Sequence, residues 1–154
     1  MERCRTRSKE PEETRVGKAF RLIETFQMDE ETVRLEDFRA LRLPGGFLLS
    51  EIVLDSRGML DPMGRPALAK AEIHGATIRI QILAGLPTEE VSISIYHELL
   101  EALTVGVDQA PLQVVDFREG DFEKAARDGH ARYGLATSTS VLIFLYANGF
   151  ERSG

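Results

Sequence analysis

Apolar positions change their period twice along the chain, and each change marks a change of element. Val16, Ala19, Phe20, Ile23 and Phe26 recur at the spacing of one helix face, which predicts an amphipathic helix over residues 15 to 27. A weaker helical pattern follows in TVRLEDFRAL. Leu43-Pro44-Gly45-Gly46 then breaks the pattern, since proline restricts the residue before it and glycine permits unusual backbone angles. Beyond that break the period becomes two. GFLLSEIVLD predicts a strand, and Asp61-Pro62-Met63-Gly64-Arg65-Pro66 a loop. In AEIHGATIRIQIL, Ile78, Ile80 and Ile82 alternate with Arg79 and Gln81, the signature of a half-buried strand in a hairpin turning at His74-Gly75.

The period returns to helical after Gly85-Leu86-Pro87. Thr88 offers an N-cap, Glu89 and Glu90 suit the positive end of a helix dipole, and Gly106 offers a stop, so a long helix is predicted over residues 89 to 105. VSISI alternates and competes as a short strand, but its uninterrupted run into HELLEAL favours the helix. FEKAARDGHARY predicts a second helix with Asp121 as N-cap and Gly134 as terminator. STSVLIFLYANGF predicts a third, capped by serine or threonine and apolar enough to lie in the core.

The length, 154 residues, suits one domain with its own core. An α+β fold is expected, with a short twisted sheet packed on the 89 to 105 helix and the further helices. Residues 1 to 14 are expected as a disordered leader and 15 to 154 as the domain. The first 77 residues carry 13 basic and 14 acidic side chains and the last 77 carry 6 and 11, so the body lacks the basic face of a nucleic-acid binder. Arg3, Arg5, Arg7 and Lys9 read as part of a solvated tail. The single cysteine, Cys4, allows no internal disulfide, and no apolar signal region or membrane-spanning run stands out, so a cytoplasmic protein without membrane attachment is expected.

The candidate chemistry lies in ISIYHELLEALTVGV, where His97, Glu98 and Glu101 interrupt an apolar helix. Polar groups among Ile93, Tyr96, Leu100 and Leu103 need a partner to offset their burial. Residues four apart share a helix face, so His97 and Glu101 can meet one metal ion, or simply pair with each other. Glu98, rotated by roughly 100°, is placed to act as a general base. Tyr96 has a polar tip that could serve an oxyanion, or could merely pack. Two side chains do not complete an open tetrahedral zinc site, so a third ligand must come from elsewhere. His130 is the candidate, because Glu119, Phe122, Ala126 and His130 align on one face of the second helix, and Glu123 is the reserve. The alternative for His130 is packing at the helix interface or capping near Gly134.

A strand followed by a helix bearing His-Glu-x-x-His is the core of the zincin-like metallopeptidases, and residues 71 to 134 resemble this arrangement in the small cytoplasmic ImmA/IrrE type. The resemblance implies a zinc peptidase acting on a peptide or protein, with His97 as ligand and Glu98 as the group that activates water. Glu101 stands where the family has its second histidine; zinc also accepts carboxylate oxygen. A zincin-shaped module without turnover is the alternative that this departure raises.

Overall fold

The sheet is mixed, and its hairpin supplies the floor of the core. In the computed structural model, residues 2–6, 32–61 and 63–151 are described. The strands are β1 (Glu2–Thr6), β2 (Leu41–Arg42), β3 (Leu48–Asp55), β4 (Met59–Leu60), β5 (Pro66–His74) and β6 (Thr77–Leu83). They form one sheet in the order β1-β5-β6-β3-β2, with β4 pairing to the start of β5. β5 and β6 are antiparallel, with His74 opposite Thr77, whereas β3 runs parallel to β6. The turn is therefore Gly75-Ala76, one residue later than expected, and Gly75 supplies its positive φ of 63°. His74 is the exposed last residue of β5.

Alternation along β6 buries Ile78, Ile80 and Ile82 completely. Across the ladder Ala71 faces Ile80 and Ala69 faces Ile82, so small side chains stand opposite large ones. The alanines leave room for α1 (Thr88–Gly106), which packs over β5 and β6. α2 (Glu119–Tyr133) and α3 (Ser138–Ala147) pack on α1 from the side away from the sheet. The fold is α+β, with one helix between a sheet and a helical layer.

Enclosure explains why α1 is buried over every residue from Ser92 to Leu103, not along one stripe. A helix buried all round needs no amphipathic pattern. Its start differs slightly from expectation: Thr88 lies inside the helix, Pro87 occupies the N-cap position without a side-chain bond, and Glu89 and Glu90 fill the first turn. The competing strand over VSISI does not form, and the helix runs through it as expected. At the other end Gly106 is required by packing, because a Cβ there would meet the Phe47 ring at 2.9 Å.

α2 begins at Glu119, earlier than the Asp121 cap predicts. Asp121 instead sits in the first turn and accepts a 2.9 Å hydrogen bond from the Arg118 N–H, closing the helix start from within. α3 is capped by Thr137, one residue before the serine and threonine run expected to cap it: Ser140 N–H donates to Thr137 Oγ1 and Thr137 N–H to Ser140 Oγ. TVRLEDFRAL forms only a short 3-10 turn, Leu35–Phe38, which buries Phe38. The helix expected over residues 15 to 27 lies outside the described residues. Within the expected leader, Glu2–Thr6 pairs antiparallel with β5, and the rest of the leader lies outside the described residues.

Candidate metal centre

α1 carries the first half of the site. His97, Glu98 and Glu101 are all buried, and one potential ligand atom from each lies within 4.8 Å of those of the others. The i,i+4 geometry predicted from sequence is present, with His97 Nε2 3.1 Å from Glu101 Oε1.

α2 carries the second half. Glu119 Oε2 also approaches His97 Nε2, at 3.1 Å, and Glu123 Oε1 meets the opposite ring nitrogen, Nδ1, at 2.9 Å. Phe122, between these two acids, tilts over the imidazole with ring centroids 6.3 Å apart and is itself packed edge-on against Phe117. Behind Glu123, Arg127 Nε donates to Glu123 Oε2 at 2.9 Å, and Arg127 Nη1 reaches Glu90 Oε2 at 3.4 Å. One imidazole is thus faced by carboxylates from both helices, and one of these is held by a guanidinium.

The electrostatic consequence follows. Burial alone would lower the His97 pKa, but hydrogen bonds to Glu101, Glu119 and Glu123, with the charge of Glu98 added, outweigh it and push the value from 6.5 up to about 11. Without a metal, the ring is held as an imidazolium, with both N–H groups donating.

No family model, curated protein or solved structure matches this chain. The chemistry of the site therefore rests on its own donor atoms.

Those donors fit a divalent cation. Ligand atoms about 2.0–2.1 Å from a tetrahedral zinc lie roughly 3.3 Å from one another. The 3.1 Å separations of Glu101 and Glu119 from His97 Nε2 are on that scale. Glu123 occupies the opposite side of the ring, where a carboxylate accepting from Nδ1–H selects the tautomer that leaves Nε2 free for a metal. His97, Glu101 and Glu119 are the residues that would hold the ion, and Glu98 is the adjacent buried carboxylate.

His130, expected as third ligand, is not brought to this group. Its Nδ1 lies 2.8 Å from Ser92 Oγ and its Nε2 4.0 Å from Glu89 Oε2. Ser92 in turn accepts the Ala136 N–H at 2.9 Å, so the three residues tie α1 to the loop after α2. The reason is axial distance: α2 runs back along α1, and His130 lies seven residues beyond Glu123, about 10 Å further toward the start of α1. The reserve residue Glu123 reaches His97, but at the nitrogen opposite Glu101 and Glu119.

Tyr96 is packed. It is fully buried, and its hydroxyl donates to the Gly134 carbonyl at 2.9 Å and lies 2.9 Å from Ser140 Oγ. Burial pushes its pKa up, and the hydroxyl points into the junction of α2 and α3. Glu119 is the residue that sequence reading passed over as a ligand. A signal for it existed, because Glu119-x-x-x-Glu123 repeats on α2 the spacing of His97-x-x-x-Glu101 on α1.

Proposed function

We propose that the protein is a metal-dependent hydrolase of the zincin-like kind, acting on peptide bonds in the cytoplasm. The observation that carries this reading is the surround of His97, with two carboxylate oxygens converging on Nε2 and a third carboxylate fixing Nδ1. A divalent ion held by His97, Glu101 and Glu119 would supply Lewis-acid polarisation, and zinc is the ion that the helix spacing suggests. Glu98, the neighbour of His97 inside the same buried cluster, is the proton acceptor for an attacking water and the donor to the leaving amine. Arg127 holds Glu123, and Glu123 in turn orients the imidazole.

A second reading draws on a specific observation. The carboxylates already satisfy both nitrogens of an imidazolium at His97, so the cluster is also able to hold α1 and α2 together without metal or turnover. Two measurements separate the readings. Protein purified without a histidine tag is expected to carry about one metal ion per chain, and His97→Ala to lose it. Glu98→Gln is expected to keep the metal and lower peptide hydrolysis by on the order of 10² or more. Absence of metal, with no micromolar affinity for added zinc or manganese, rejects the metal reading. Bound metal with no hydrolysis of a peptide library by the wild type leaves a binding module.

A further inference from the structure

The donor atoms that face His97 Nε2 differ from those of a two-histidine zinc site in one respect: nitrogen appears once. The other two positions belong to Glu101, almost fully buried, and Glu119, whose side chain is 49% exposed. A third carboxylate, Glu98, lies in one 4.8 Å group with His97 and Glu101. Carboxylate oxygens are hard donors that suit manganese and magnesium, whereas imidazole suits zinc, copper, iron and nickel. Each carboxylate can also bind through both oxygens, which raises the coordination number above four. Zinc sites have little use for this, because zinc is satisfied by four ligands. An octahedral ion uses the extra oxygens.

Magnesium fits less well, since it demands near-ideal octahedral oxygen geometry and keeps its waters, and one donor here is nitrogen. Manganese accepts both donor types. The charge balance does not decide between ions, because the cluster's excess of carboxylate over cation favours a bound dication of any kind and so leaves the choice to donor hardness. Position 101 is where that choice is made: a histidine there would give the two-nitrogen set, and this chain has a carboxylate.

We propose that Glu101 shifts this centre, relative to a two-histidine set, toward an oxygen-preferring, six-coordinate divalent cation of the manganese class, and that Glu119 reinforces the shift. The inference rests on the metal reading given above. It assigns the ion, which that reading takes only from helix spacing.

The test uses the full chain without a tag and compares Kd for Mn²⁺ and Zn²⁺, each measured by competition with a chelator at one pH. The variants are Glu101→His and, because that position is buried and the substitution can disturb folding, Glu119→His at the half-exposed position. Circular dichroism checks the fold of both. Each variant is expected to raise the ratio of zinc to manganese affinity by roughly tenfold or more, by replacing a hard oxygen with imidazole nitrogen. The spectrum of Mn²⁺ bound to the wild type, read by electron paramagnetic resonance, is expected to be that of a six-coordinate ion. A ratio unchanged within about threefold in both folded variants overturns the assignment, while the metal reading itself stands if either ion binds. A wild type that binds neither ion overturns both.

Discussion

A metal ion bound at His97 as proposed would have to expel a proton from the ring, because the surrounding carboxylates hold the metal-free imidazole protonated. In the metal-free protein the ring is an imidazolium, since its pKa is pushed up to about 11 by the surrounding carboxylates. An ion at Nε2 takes the place of the N–H that Glu101 and Glu119 share, whereas the N–H facing Glu123 stays. One proton is therefore released per ion. Wherever the pH lies below the His97 pKa, the observed affinity then rises about tenfold per pH unit, or about 1.4 kcal/mol per unit. Between pH 7 and pH 9 the gain amounts to about a hundredfold. Competition with a chelator of known protonation gives the slope directly. Calorimetry in two buffers of different ionisation enthalpy counts the proton independently. A flat pH dependence, with no buffer-dependent heat, would refute the reasoning, because it would mean that His97 is neutral in the free protein or is not a ligand.

Stability of the metal-free protein is expected to follow the same group. The folded pKa of His97 lies above its unfolded value of 6.5, so its contribution is fully present below about pH 6.5 and is lost as pH rises through about 11. Melting temperatures in chelator at pH 7 and pH 10.5 check the sign, and a higher value at pH 10.5 would contradict it. Gly129→Ala is expected to destabilise by about 1–3 kcal/mol, because the added Cβ would meet Phe144 at 2.6 Å in the contact between α2 and α3; chemical denaturation measures it. Ser92→Ala leaves the buried Ala136 N–H and His130 Nδ1 without the serine oxygen, and is expected to cost about 1–3 kcal/mol while leaving metal affinity within about twofold. A large loss of metal binding in that variant would bring His130 back into the site.

Local information carried the first half of the site and not the second. The His97 and Glu101 pair depends only on helical spacing, and Pro87, the following acids and Gly106 made the helix itself visible. Burial of α1 on all sides was less visible, because the neighbours that enclose it are distant in sequence and two serines, Ser92 and Ser94, dilute its apolar character. On α2 the inward face was read correctly, since Phe122, Ala126 and Gly129 are buried there. Position along the axis was not, because it depends on how far α2 slides along α1. That slide brings Glu119 and Glu123 to His97 and leaves His130 at Ser92. A pattern of periodicity reports rotation about a helix axis and says nothing about translation along it. The weak helical pattern of TVRLEDFRAL failed for another reason. Its turn is too short to gain from propagation, and burial of Phe38 decides its shape.

Because α1 is walled in by the sheet on one side and by α2 and α3 on the other, neither layer has a complete interior of its own. The molecule should therefore open as one cooperative unit, and the amides of residues 95 to 103 should exchange with solvent only through that global event. The same enclosure sets the route by which anything from solution arrives at His97. Among the acids on the ring, Glu119 is half exposed and Glu123 partly so, whereas Glu101 is closed over. The exposed edge of the cluster therefore lies at the first turns of α2, an end closed by the Asp121 bond to Arg118.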